Sequence, residues 1–73
     1  MTNLRILFGK NLRKIRRRND LTQEKLAESL GVSVEFVSNM ERGVNAPSFE
    51  TIEKIAQAFN LSVAQLFDFE EEK

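Results

Sequence analysis

Several side chains between Ser33 and Met40 could make specific contacts from one side of a helix. If this segment is helical, the apolar Val37 and Met40 share one face. The opposite face carries Val34, Glu35, Ser38 and Asn39. An amide can pair with adenine, a carboxylate can accept from cytosine, a hydroxyl can serve either base, and an isopropyl group can touch the thymine methyl. Each good bidentate pair is worth about 1 to 3 kcal/mol of discrimination, so this face has the chemistry of base-edge recognition.

This chain lacks the residues that are best suited to covalent catalysis and to metal binding. Of its 73 residues none is histidine, cysteine or tyrosine, so the commonest general base, the commonest metal ligand and every thiolate are missing. The carboxylates fall mainly at positions expected to be exposed on helices, where no nucleophile and base can be assembled. The sequence therefore predicts no enzyme activity, no metal site and no other cofactor, and nothing in it implies a small-molecule ligand.

The charges are segregated along the chain although the formal net charge is zero. The first 18 residues contain seven basic residues and no acidic one, whereas residues 50–73 contain six acidic residues and two lysines. A basic end can follow phosphates, and an acidic far end would be held away from them. A solvated helix face is the other explanation of the same basic run.

The elements that would position the outward face are two short helices joined by a tight turn, in the segment from Thr22 to Gly43. Ala27 supplies the small side chain needed where two helices cross closely. Gly31 supplies a residue that adopts positive φ without strain, and Ser33 supplies the N-cap of the second helix. This combination is how a small protein presents one helix to the DNA major groove.

Capping residues divide the chain into five predicted helices, with no strand pattern between them. The first helix runs from about Asn3 to Arg18. The next four begin at hydroxyl N-caps, which are Thr22, Ser33, Ser48 and Ser62. Gln65 completes a capping box in the last helix, which runs from Val63 to Phe67, and Asn60 is a left-handed stop before it. The predicted fold class is therefore all-α.

Apolar residues at three- and four-residue spacing mark the faces that these helices would bury. The first helix has Leu4, Phe8, Leu12 and Ile15, and the fourth has Phe49, Ile52, Ile55, Ala56 and Phe59. We expect one domain over residues 1–73, with its core at about 4–67 and an acidic tail at 68–73. A single core of this size is only marginally stabilising, which favours an oligomer.

The segment from about Leu12 to Phe67 resembles the DNA-binding domain of the lambdoid phage repressor and Cro (XRE) family. The matching stretches are LTQEKLAESLGVS, the Glu41-Arg42-Gly43 that ends the second motif helix, the Pro47-Ser48 start and the closing LSVAQLF. This family also contains small bacterial regulators and restriction-modification controller proteins. The resemblance implies a compact, five-helix, lambda-repressor-like domain with a helix-turn-helix at helices 2 and 3. It also implies a transcriptional regulator that binds double-stranded DNA sequence-specifically.

In this family the second motif helix lies in the major groove and the first crosses the backbone. The resemblance therefore implies base reading by the outward face, at Val34, Glu35, Ser38 and Asn39. It implies phosphate binding by the motif and the loop after it, at Gln23, Ser33, Arg42 and Asn45. Arg13 and Arg17 of the basic first helix are further candidates for phosphate attraction. Ordinary exposed helix positions, and capping alone for Ser33, are the alternatives.

Two further roles follow from the resemblance. The family counterparts of Arg16 and Glu41 pair with each other, which implies an ion pair that fixes the first helix against the reading helix.

The fifth helix and its flanks form the two-fold contact in the family, which implies a homodimer interface of Leu61, Val63, Leu66, Phe67 and Phe69. Some of these could instead complete the core of one chain, so Val63 and Phe69 are the more diagnostic. A homodimer would bind a pseudo-palindromic operator with half-sites about 34 Å apart.

Other classes of function remain open from the sequence. The same fold could serve as a protein-interaction module, such as an antitoxin or an anti-repressor, whose outer face contacts a protein. The basic amphipathic first helix could suit a membrane surface, but the capped helices downstream favour a globular domain. Because the chain has no signal peptide and no membrane-spanning segment, we expect a cytoplasmic protein without a membrane partner.

Overall fold

The computed structural model describes residues 3–69, which form five α-helices and no β-strand. In chain order the helices are α1 (Leu4–Arg18), α2 (Gln23–Leu30), α3 (Val34–Glu41), α4 (Phe49–Phe59) and α5 (Val63–Leu66). The predicted all-α class and the predicted five helices are confirmed. Most of the predicted acidic tail, from Glu70 onward, lies outside the described residues.

Each helix begins at a side chain that accepts a hydrogen bond from the helix's own first turn. The hydroxyl oxygens that do so for α2 to α5 belong to Thr22, Ser33, Ser48 and Ser62, as predicted. The side chain of Asn3 does the same for α1. Gln65 Oε1 accepts from the Ser62 N–H at 2.8 Å and completes the predicted capping box. Caps of this kind each contribute about 1 kcal/mol to helix stability.

Two left-handed residues end α2 and α4. Gly31 has φ 69° and ψ 33° after α2, and Asn60 has φ 55° and ψ 42° after α4, both as predicted. Glycine adopts this conformation without the steric cost that a Cβ brings, and asparagine tolerates it better than most residues. The last helix, α5, ends at Leu66, and the predicted final residue Phe67 is its C-cap.

One apolar cluster joins the helices. Helix α3 packs against both α1 and α2, and α5 packs against α1 and α4. The buried apolar side chains are Phe8, Leu12, Ile15, Leu26, Ala27, Leu30, Val37, Met40, Ile55, Ala56 and Leu66. Val37 and Met40 are fully buried, at 0% exposure. The inner face of α3 is therefore the one that the sequence predicted.

The predicted burial of two residues is wrong. Leu4 is 54% exposed and Phe49 is 83% exposed, although both belong to the apolar stripes of their helices. Each is the first residue of its helix, in α1 and α4 respectively. Periodicity identifies the face that a helix buries, but it does not show how far the neighbouring helices extend along that face.

Candidate nucleic-acid interface

The outward face of α3 is directed away from the core. Val34 is 39% exposed. Glu35 is also exposed, whereas Ser38 and Asn39 are partly buried. The structure thus brings the four predicted base-reading side chains together on one face of an eight-residue helix.

Ser33 stands at the N-terminus of α3, where its hydroxyl has two uses. Its Oγ accepts from the Phe36 N–H at 3.0 Å, and this bond leaves the hydroxyl hydrogen free to be donated elsewhere. The residue is exposed to solvent. The unpaired N–H groups and the dipole at a helix N-terminus also favour an anion at this point. Ser33 can therefore cap α3 and contact a phosphate at the same time.

Arg16 and Glu41 form a buried ion pair that joins α1 to the C-terminal end of α3. Arg16 Nε donates to Glu41 Oε2 at 2.6 Å and Arg16 Nη2 donates to Glu41 Oε1 at 3.1 Å. Arg16 Nη1 donates to the carbonyl oxygen of Leu21 at 2.7 Å. The hydrogen bond to Glu41 raises the pKa of Arg16 against the opposing effect of burial, with added attraction from the charges of Glu41 and Glu24. The two-point geometry offsets the cost of removing both charges from water.

Gln23 takes part in this buried cluster, which the sequence did not indicate. Its Nε2 donates to Glu41 Oε1 at 3.1 Å. One carboxylate therefore binds both Arg16 of α1 and the first residue of α2. A primary amide has two N–H bonds, so Gln23 keeps one with which it could donate to another group. Through Glu41, the predicted phosphate contact at Gln23 is mechanically connected to α3.

The packing of α1 on α3 depends on Gly9, which the sequence analysis did not single out. A Cβ atom at Gly9 would lie 2.7 Å from the carbonyl oxygen of Glu41 and closer still to that of Met40. No side chain larger than hydrogen fits between the two helices at this point. Glycine in the middle of a helix usually lowers helix stability by about 0.5 to 1 kcal/mol relative to alanine. A glycine at this position of a predicted helix was therefore the sequence feature that could have indicated a close contact.

Arg42 and the loop after it fold back on the end of α3. Arg42 is the exposed C-cap residue of α3, and its Nη2 donates to Asn39 Oδ1. The N–H groups of Val44 and Asn45 donate to the carbonyl oxygen of Asn39 at 2.9 and 3.3 Å. These bonds hold the loop with the predicted phosphate contacts directly against α3.

Arg13 and Arg17 both lie exposed on α1, four residues and thus about one turn apart. They line one open surface together with three further basic residues, Lys10, Lys14 and Arg18. A concentration of positive charge of this kind attracts phosphates over a distance of about one Debye length, or 8 to 10 Å in physiological salt.

The predicted location of one interface residue must be corrected. Leu66 is 1% exposed and belongs to the core of a single chain. Its carbonyl oxygen accepts from Asn11 Nδ2 at 2.7 Å, a bond that fixes α5 against α1. The sequence could not decide this, because a four-residue helix has too few residues to define a buried face. Val63 is 45% exposed, and the partly buried members of the set are Leu61, Phe67 and Phe69.

An apolar groove of 220 Å³ lies between the start of α1 and the start of α4, and Phe67 is the member of this set that lines it. Its lining includes Leu4, Phe49 and Phe67. The Phe67 ring centroid is 5.2 Å from that of Phe8 and 6.0 Å from that of Phe69, so the ring is anchored in place. Phe49, which the sequence analysis assigned to the core, therefore extends the exposed apolar surface around α5.

Residues 3–69 contain neither a cluster of metal ligands nor a membrane-spanning helix. Between residues 3 and 69 no three acidic side chains come close enough together to hold a metal ion. No helix in that range is both long and apolar enough to cross a bilayer.

Comparison with known proteins gives consistent matches. A family profile described as helix-turn-helix matches residues 12–66. Control protein C.BamHI of Bacillus amyloliquefaciens is 38% identical over 68 residues, which are 92% of this chain and 84% of that protein. Control protein C.MunI of a Mycoplasma species is 32% identical over 74 residues, covering 99% of this chain and all of that protein. The crystal structure of the restriction-modification controller protein C.AhdI from Aeromonas hydrophila has a TM-score of 0.81 at 35% identity, covering 85% of this chain and 94% of that one.

Proposed function

Because this chain belongs to the helix-turn-helix family and is a DNA-binding transcriptional regulator, we propose that it reads a specific duplex sequence with the outer face of α3 in the major groove. The observation that carries this proposal is the outward face of α3, where Val34 and Glu35 are exposed and Ser38 and Asn39 partly so, opposite the fully buried Val37 and Met40. A major groove about 12 Å wide admits a helix presented in this way.

The proposed contacts divide into base reading and phosphate binding. Val34, Glu35, Ser38 and Asn39 read base edges. Gln23, Ser33 and Asn45 hold phosphates on either side of the groove, and Arg13 and Arg17 add longer-range attraction. Arg42, which caps α3 and begins the loop, belongs to the phosphate-binding group. The anchoring of Gln23 to Glu41 supports this division, because it keeps a phosphate contact at a fixed distance from α3.

We propose further that the protein binds as a homodimer to a pseudo-palindromic operator. One domain of this size touches only a few base pairs, whereas specific affinities of about 10⁻⁸ to 10⁻¹¹ M require a larger interface. Exposed Val63, together with Phe67, Phe69 and the adjoining Phe49, supplies an apolar surface for the two-fold contact. The fraction of dimer rises with protein concentration, so the amount of protein sets operator occupancy.

The relatives named as control proteins suggest which genes such a DNA-binding protein regulates. C.MunI is matched over its whole length and C.BamHI over most of it. We therefore propose that this chain is a regulator of the control-protein type, in which a small helix-turn-helix protein sets the expression of a restriction-modification system.

Selection of bound sequences from a random duplex library tests the proposed function directly. We expect the purified protein to enrich a two-fold symmetric sequence whose half-site centres are about one helical turn apart. Its binding constant should fall steeply with salt, as counterions are released from contacted phosphates. Failure to enrich any sequence at low ionic strength would contradict the proposal and favour a protein-interaction module instead.

Two substitutions test the proposed division of contacts. Gln23→Ala should weaken all duplexes about equally, whereas Ser38→Ala should alter base preference at one position in each half-site. Both variants are compared with Lys54→Ala, which removes a cation from α4, outside the proposed contacts. Equal losses from Gln23→Ala and Ser38→Ala across a panel of operators would contradict the assignment.

A further inference from the structure

The C-terminal end of the reading face carries a side-chain pair that the sequence analysis treated as two separate residues. Arg42 Nη2 donates to Asn39 Oδ1 across one turn of α3. The hydrogen bond is directional, since a guanidinium has only donors and must face the oxygen of the amide. Both groups remain accessible, as Arg42 is exposed and Asn39 is only partly buried.

Counting donors and acceptors shows what this pair can recognise. An isolated asparagine reads adenine with its oxygen and its NH₂ group together, because adenine presents one donor and one acceptor in the major groove. Here one of the two lone pairs of that oxygen accepts from Arg42, which fixes the guanidinium beside the amide and adds its donors to the face. Four of the five guanidinium N–H groups and the amide NH₂ remain, and all of these are donors. Guanine is the base that presents two acceptors, N7 and O6, in the major groove.

We propose that Asn39 and Arg42 act as one guanine-reading unit, in which Asn39 orients the guanidinium and Arg42 donates to N7 and O6. This inference rests on the proposed function and deepens it, because it replaces adenine with guanine as the target of Asn39. It also moves Arg42 from the phosphate-binding group to the base-reading group.

The charges around the pair leave the guanidinium available for a base. The nearest acidic residue along the chain, Glu41, is bound by Arg16 and Gln23 in the interior. Glu35 is on the same side of α3 but seven residues before Arg42, a rise of about 10 Å. The reading face therefore has an acceptor at its N-terminal end and donors at its C-terminal end. This polarity matches a half-site with a cytosine or adenine donor at one end and a guanine at the other.

Library selection with the wild type, Arg42→Ala and Asn39→Ala tests the unit. We expect the wild type to select guanine at one position in each half-site. Arg42→Ala should lose that preference and shift it toward adenine, because Asn39 then contacts the base alone, with its oxygen and its NH₂ group together. Asn39→Ala should reduce the preference for guanine without introducing adenine. On the selected operator Arg42→Ala should bind about tenfold more weakly, which is within the range of one bidentate contact.

A chemical probe on the DNA separates a base contact from a phosphate contact. Replacing the selected guanine by 7-deazaguanine removes the N7 acceptor and leaves the phosphates unchanged. We expect this duplex to bind the wild type about tenfold more weakly and to bind Arg42→Ala as well as the normal duplex does. Arg17→Ala is the matched arginine control, and its loss should be the same on both duplexes.

The outcomes distinguish this inference from the proposed function. If the wild type selects an operator but 7-deazaguanine has no effect and Arg42→Ala weakens all sequences equally, Arg42 contacts a phosphate and the inference is wrong. An adenine preference in the wild type that survives Arg42→Ala would overturn it as well. If no duplex is selected at all, the proposed function itself fails. Arg42 is exposed, and circular dichroism of Arg42→Ala checks that the fold is retained.

Discussion

Gly9 of α1 and Met40 of α3 are in backbone contact, because the Met40 carbonyl oxygen occupies the space where a side chain at Gly9 would stand. The contact lies at the C-terminal end of the reading helix, next to Glu41, whose side chain is bound by Arg16 of the same helix α1. Backbone packing and a buried ion pair therefore set the position of α3 from the same side.

Gly9→Ala should destabilise the protein, although alanine is the better helix former. The gain in helix propensity is about 0.5 to 1 kcal/mol, whereas forcing a methyl group into a closed contact costs about 1 to 3 kcal/mol or more. Urea unfolding of both proteins measures the difference. Gly31→Ala is the matched control, because no atom lies within 4 Å of a Cβ there and only the positive φ of 69° is strained. We expect a cost of about 1 to 2 kcal/mol for this control. A Gly9→Ala protein as stable as the wild type would contradict the close contact.

Arg16→Met should destabilise the protein by about 3 to 5 kcal/mol, because it leaves the buried carboxylate of Glu41 without its cation. The double variant Arg16→Met, Glu41→Leu should recover much of this loss, since two apolar side chains of similar size need no charge partner. Urea unfolding of the wild type, both single variants and the double variant gives the coupling energy. Losses that simply add would show that the two residues do not act as a pair.

Ser33→Asp should separate helix capping from phosphate binding. Aspartate caps a helix about as well as serine, so the stability should stay within about 0.5 kcal/mol of the wild type. A negative charge at a proposed phosphate contact should nevertheless lower DNA affinity strongly. Ser33→Ala should lose about 1 kcal/mol of stability together with the hydroxyl contact. Thermal unfolding and a fluorescence binding titration provide the two measurements. DNA affinity unchanged in Ser33→Asp would place Ser33 away from the phosphates.

Phe49→Ser should weaken the proposed homodimer and leave the folded chain intact. The Phe49 side chain is 83% exposed, so its removal creates no cavity, but it withdraws apolar area from the proposed contact. We expect the dimer dissociation constant to rise about tenfold or more, measured by sedimentation equilibrium. Val44→Ser is the control, because it removes a 52% exposed apolar side chain from the loop after α3. A Phe49→Ser protein that dimerises as well as the control would exclude Phe49 from the interface.

Local sequence features were sufficient to predict the helices. Each N-cap hydroxyl bonds to an N–H three residues away, and each left-handed stop depends on one residue's own φ and ψ. Thr22, Ser33, Gly31 and Asn60 could therefore be assigned without knowledge of the rest of the fold. The buried face of α3 was predictable for a related reason, since it needs only the helical period and two apolar residues.

The arrangement between helices required the tertiary structure. Phe49 and Leu66 show this most directly, because the exposure of each depends on whether another helix happens to extend over it. The same holds for Gln23, whose bond to Glu41 spans 18 residues. The sequence by itself determined which segments are helical and which side of α3 faces outward, since hydrogen bonds and periodicity within a few residues decide both. Only the packed fold decided which side chains are covered and which donors stay free, because those depend on neighbours that are distant along the chain.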